Sequence, residues 1–136
     1  MKKIILLVFV VLISISSSFS QDSKVKYQEI NGRTYKFTYY ENQKLQTKEE
    51  VHPIENSDKY RSLDYYEMYD EKGNMVFKGN KISGRQLTYY TNGKKKTQGM
   101  VMNSKTEGRK VYFDKEGNTV KVEIYRAGEL IDTIEK

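Results

Sequence analysis

The side chains able to do chemistry are few in kind. The chain has one histidine, His52, no cysteine and no tryptophan, against 18 Asp+Glu, 24 Lys+Arg and twelve Tyr. Without cysteine there is no disulfide, no thiol nucleophile, no thiolate metal site and no lipid-bearing thiol. Serine-type acyl transfer needs a base held by a third group, but His52 stands beside Pro53 and no Gly-x-Ser-x-Gly elbow is present. Two carboxylates can share acid–base work. Here, however, the acids alternate with bases, as in Lys48-Glu49-Glu50 and Asp114-Lys115-Glu116, which is the pattern of solvated turns and edges. One His and no Cys exclude the usual zinc sets. The run Asp70-Glu71-Lys72-Gly73-Asn74 lacks the spacing and closing Glu of a calcium loop. It reads instead as a turn whose Asp bonds its own backbone. The expectation is a non-catalytic chain with no cofactor and no metal.

Two other residue sets point to binding. Tyr39-Tyr40, Tyr65-Tyr66 and Tyr89-Tyr90 are adjacent pairs, so on a strand each pair places one ring on either face. One ring of each pair is expected to stack in a cross-strand ladder and form the core, contributing about 0.2–1 kcal/mol per pair. The core takes most of these rings, and the opposite, exposed ones would form a platform for sugars or an extended partner. Basic residues gather at Lys94-Lys95-Lys96, at Lys78, Lys81 and Arg85, and at Lys105, Arg109 and Lys110. In-register hairpins would set these along one edge. Such an edge attracts acidic glycans or phospholipid headgroups, and lysines there also discourage strand-to-strand aggregation. Tyr66, Tyr90, Tyr112, Lys95 and Arg109 are the candidate binding surface.

The elements that must position these residues are strands. Lys2 and Lys3 precede an apolar run, Ile4 to Ile15, followed by Ser16-Ser17-Ser18-Phe19-Ser20, the pattern of a secretory signal peptide. That run is shorter than the roughly 20 residues a bilayer span needs. Residues 1–20 are therefore expected to be a signal peptide and 21–136 one exported domain. Without the leader the net charge falls from +6 to +4, through the loss of Lys2 and Lys3. The remainder holds twelve Tyr with Phe37, Phe77 and Phe113, against four Leu and only Ala127. That balance favours strands over helices. Val120, Val122 and Ile124 alternate with Lys121, Glu123 and Tyr125, the period-two pattern of a half-buried strand. Thr91-Asn92-Gly93-Lys94 carries an Asn-Gly pair suited to a two-residue hairpin turn. Asp70–Asn74 and Asp114–Asn118 read as longer hairpin loops with Gly left-handed, and Arg126-Ala127-Gly128-Glu129 as a last hairpin.

The turns recur. Gly73 to Gly93 and Gly79 to Gly99 are each 20 residues, and Gly84 to Gly108 and Gly93 to Gly117 are each 24. Phe37–Lys44 resembles Leu87–Lys94, and Tyr69–Asn74 resembles Phe113–Asn118. Stacked β-hairpins are predicted near 33–50, 63–80, 84–102 and 108–125, with a terminal hairpin to Ile134 and a loop over Val51–Arg61. The aromatic pair, the Asn-Gly or Asp-x-x-Gly turn and the following spaced glycines resemble the MORN-repeat variant of the YwqK-type antitoxin family. The resemblance rests on Tyr69–Gly79, Gly84–Gly99 and Gly108–Asn118, with Gln43 where the first unit should have its turn glycine. It implies an elongated, twisted antiparallel meander of hairpins with a non-catalytic, interaction-based role.

The expected fold is thus all-β. The expected function is that of an exported binding module, periplasmic or extracellular and not lipid-anchored. It would recognise a partner protein through its aromatic face or an edge strand. The alternatives are a structural envelope scaffold, or a binder of acidic glycan or phospholipid headgroups through the basic edge. Export argues against nucleic acid.

Overall fold

The computed structural model describes residues 24–136; the expected signal peptide lies outside the described residues. Ten strands follow one another: β1 Val25–Ile30, β2 Arg33–Tyr39, β3 Leu45–Pro53, β4 Tyr60–Tyr69, β5 Met75–Asn80, β6 Gly84–Tyr89, β7 Lys95–Met102, β8 Lys105–Phe113, β9 Thr119–Arg126 and β10 Glu129–Glu135. They form one antiparallel sheet in strict sequence order, with β1 and β10 at its two edges. The hairpins lie side by side in a single layer and do not stack face upon face. The all-β fold read from aromatic content and period-two alternation is observed, as is the antiparallel meander of hairpins implied by the recurring turns and the resemblance.

Four hairpins, β2–β3, β4–β5, β6–β7 and β8–β9, turn in the same way. In each, an amide bonds back to the carbonyl three residues earlier: Gln43 to Tyr40, Gly73 to Asp70, Gly93 to Tyr90 and Gly117 to Asp114, at 2.9–3.2 Å. The donor residue is left-handed, with φ of 64°, 92°, 82° and 98°. A one-residue register shift follows at Tyr39, Tyr69, Tyr89 and Phe113. This is the three-residue loop with a bulge. Asn92-Gly93 is therefore not the expected two-residue turn, since only Gly93 has positive φ. Asn92 Oδ1 instead accepts from the Lys94 amide at 3.0 Å, which holds the longer loop. Two-residue turns with both residues left-handed occur at Asn31-Gly32, Asn103-Ser104 and Ala127-Gly128.

The loop expected over Val51–Arg61 is present but shorter, with strand at both of its ends. β3 runs to Pro53 and β4 begins at Tyr60, leaving only a turn over 54–59, closed by the Ile54 amide on the Lys59 carbonyl at 2.9 Å. Pro53 is the last residue of its strand, a place where the missing N–H interrupts little of the ladder.

Directly paired residues share a face, so the register defines two. One row, here the front, runs Lys26, Phe37, Lys48, Glu67, Lys78, Leu87, Gln98, Val111, Val122, Ile134. The back carries Val25, Thr38, Thr47, Met68, Phe77, Thr88, Thr97, Tyr112, Lys121, Glu135. A single layer cannot enclose a thick core. Among the described residues only Val51, Val101 and Val122 are buried apolar side chains, and the tyrosines expected as core are half-buried or exposed. Cross-strand contacts do much of the holding. Thr38 and Thr47 hydroxyls meet at 2.6 Å, and Thr88 and Thr97 at 2.7 Å.

Those paired threonines expose a larger repeat. Strands β2–β5 correspond to β6–β9, with an offset of 50 residues in the first hairpin (Tyr40 to Tyr90) and 44 in the second (Tyr69 to Phe113).

Candidate functional site

Three side chains tie neighbouring turns together, identically in both repeats. The Tyr40 hydroxyl donates to the Tyr69 carbonyl at 2.8 Å, and Tyr90 does the same to Phe113 at 2.7 Å. Asn42 Nδ2 bonds the Glu71 carbonyl at 2.9 Å, and Asn92 Nδ2 that of Lys115 at 3.1 Å. Lys44 Nζ reaches the Lys72 carbonyl at 2.8 Å, and Lys94 Nζ that of Glu116 at 2.7 Å. Tyr40 and Tyr90 therefore do not point to the face opposite their neighbours Tyr39 and Tyr89. Each lies just beyond its strand and braces the next hairpin. Tyr65 and Tyr66, well inside β4, do divide between the faces: Tyr65 bonds Glu67 on the front, while Tyr66 pairs with Gly79 on the back.

Each repeat also buries one carboxylate. Glu67, 7% exposed, accepts from Tyr65 at 2.6 Å and Tyr69 at 2.7 Å. Burial opposes its ionisation, but the two phenol donors outweigh that and hold its pKa below the ordinary carboxylate value. Glu123, 8% exposed, is bonded by Lys121 Nζ at 2.8 Å, by the Tyr112 hydroxyl and by Tyr125 at 2.8 Å. These donors, the lysine first, bring its pKa down to about 2. Burial and the Glu67 carboxylate push both Tyr65 and Tyr69 up, and burial and Glu123 push Tyr112 up. Carboxylates held this firmly in the ionised form are poor general acids. Asp70 and Asp114 are likewise engaged by the amides of their own loops.

The five candidate binding residues do not share one surface. Tyr66 and Tyr112 are on the back, half-buried and covered by cations, with Lys81 Nζ 3.9 Å from one ring centroid and Lys121 Nζ 4.3 Å from the other. Tyr90 is at the turn end. Lys95 and Arg109 are exposed on the front. The basic clusters do not form one edge either. Lys78, Arg85, Lys95 and Arg109 face front, Lys110 faces back with its Nζ 5.4 Å from the Tyr112 ring centroid, and Lys94 is bound at the turns. Neighbouring residues on a strand point to opposite faces, so sequence proximity disperses them.

Two features gain importance. A groove of about 600 Å³ lies on the front of β6–β8, between Arg85 and Arg109 and beside Gln98, Met100 and Val111. At the far edge, all seven residues of β10 are exposed, including Leu130, Ile131 and Ile134. Period-two alternation places Arg85 and Arg109 on the front once the register is known, and the β7–β8 pairing between them shifts register between Gln98 and Met100. No family model matches the chain, and no curated protein is significantly similar to it.

Proposed function

We propose that the chain is an exported, non-catalytic binding module that adds an extended segment of a partner protein to its edge strand β10. The observation that carries this is the open outer side of β10, where Leu130 and Ile131 are each 53% exposed and no described strand pairs beyond it. An edge strand offers unpaired backbone donors and acceptors as a template for another strand. Glu129, Asp132 and Glu135 make this edge acidic, so the fitting segment alternates apolar and basic residues. The Thr133 amide is bonded to Asp132 Oδ1 at 2.8 Å; the incoming strand replaces that bond with one of its own. The secretory pattern of residues 1–20 supports a site of action outside the cytosol. The aromatic rings support the reading less, because lysines already occupy them.

Selection of displayed extended peptides, followed by amide hydrogen exchange on the complex, tests the proposal. Selected sequences should be alternating apolar–basic, should slow exchange on β10, and should lose binding to Thr133→Pro with the sheet still folded. Peptides that bind without protecting β10, or that bind Thr133→Pro unchanged, would refute it.

A further inference from the structure

We propose that the front of the second repeat holds a site for a carboxylate-bearing polysaccharide, seated on β7 between Arg85 and Arg109. The two repeats make the case by contrast. In the first, the matching positions are Tyr35 and Tyr65. Lys48 Nζ is 4.5 Å from the Tyr35 ring centroid and Tyr65 is bonded to Glu67, so rings fill the surface and Lys48 already lies against one of them. In the second, Arg85 and Arg109 stand in place of the two rings, while Met100 and Val111 stand where Glu50 and Glu67 were. Two cations have replaced two aromatics and two neutral residues have replaced two acids, against Gln98 for Lys48 and Glu107 for Leu63, and the groove of about 600 Å³ is there.

The donors are already aimed. Arg85 Nη2 and Lys95 Nζ converge on Gln98 Oε1, at 2.8 and 3.4 Å, which marks where an anionic oxygen would find two cationic donors. Arg85 on β6 and Arg109 on β8 flank β7, two strand spacings or about 10 Å apart, so a carboxylate over β7 is within reach of both. Guanidinium groups suit planar carboxylates. None of Lys78, Arg85, Lys95 and Arg109 is in a salt bridge among the described residues, and only Lys95 of the four lies by a ring, 5.3 Å from the Phe113 centroid. Glu107, paired with Met100 and lining the groove, opposes an anion, although its Oε2 is turned to the Ala127 amide at 2.6 Å. Met100 and Val111 form an apolar strip between the arginines on which the carbon face of a sugar can lie. Lys78 and Lys95 extend the charge beyond the groove, so a polymer with repeated carboxylates finds successive partners. The cations bordering a one-strand-wide recess fit a chain better than a flat lipid surface.

Titration calorimetry with polygalacturonate at low and high salt, with neutral dextran as control, tests this on the purified protein. Binding should weaken steeply with salt and dextran should not bind. Arg85→Ala/Arg109→Ala should lose about tenfold or more, whereas Lys110→Ala on the back should stay within about twofold. Should the double variant fail to fold, Arg109→Gln alone and Glu107→Gln decide: the first weakens binding and the second strengthens it. The site is overturned by absence of binding, by equal losses from Lys110→Ala, or by phosphatidylserine vesicles binding more tightly than polygalacturonate.

Discussion

The repeats β2–β5 and β6–β9 share a backbone but exchange their faces. In the first, Glu67 and its tyrosines occupy the front, while Met68 and Phe77 pair across the back with Tyr66 6.1 Å from the Phe77 ring. In the second, the front pair matching Glu67 and Lys78 is apolar, Val111 opposite Val122, and the buried carboxylate Glu123 with Tyr112 and Lys121 is on the back. What repeats is the turn geometry, its three-part clasp and the paired threonines; what varies is most of what the rest of the strands present. A single-layer sheet permits this because neither face is committed to a common core. Recognition can therefore sit on one repeat alone.

The comparison can be broken most severely at Gly79, which occupies the place of Glu123. A Cβ there would lie 2.1 Å from the Arg85 carbonyl oxygen, and its φ is 147°. Gly79→Ala is expected to cost more than about 3 kcal/mol in urea unfolding; a near-neutral result would mean the two repeats do not differ there as described. Next come the buried carboxylates. Glu67→Ala and Glu123→Ala each strand phenol donors, and each should cost about 2–3 kcal/mol, despite lying on opposite faces. Because the folded pKa of Glu123 is depressed from 4.5 to about 2, its contribution is fully present above pH 4.5 and is lost as pH falls toward about 2. Glu123→Gln should flatten that acid limb in a melting-temperature series.

Smaller effects sharpen the likeness of the clasps. Tyr40→Phe and Tyr90→Phe should each cost about 1 kcal/mol, with Tyr90→Ala costing more, so loss of this ring registers as instability. Smallest is the turn exchange. Gln43→Gly should gain about 0.5–1 kcal/mol by relieving a left-handed side chain, and Gly93→Gln should lose a similar amount; paired thermal melts check both.

The sheet was legible from the sequence because Tyr, Thr and Val alternate and because Gly73, Gly93 and Gly117 punctuate the strands. Their left-handed φ angles match that reading. Asn-Gly proved ambiguous for a physical reason. At Asn31-Gly32 both residues are left-handed, whereas at Asn92-Gly93 the Asn side chain bonds forward to Lys94 and sideways to the Lys115 carbonyl, which selects the longer loop. The order β3–turn–β4 was hidden by His52, Pro53 and the polar run after them. The candidate surface was least legible. Residue type and proximity single out its Tyr and Lys, while the face of each depends on register and on bulges such as the one between Gln98 and Met100. Arg85 and Arg109 are 24 residues apart in sequence, and only the pairing through β7 brings them together.

Amide hydrogen exchange on the free protein tests most directly whether two equivalent clasped repeats end in an open edge. Equal protection across β2–β5 and β6–β9, with the outward amides of β10 exchanging at once, is the expected pattern. Protected β10 amides in the free protein, or one repeat opening well before the other, would contradict it.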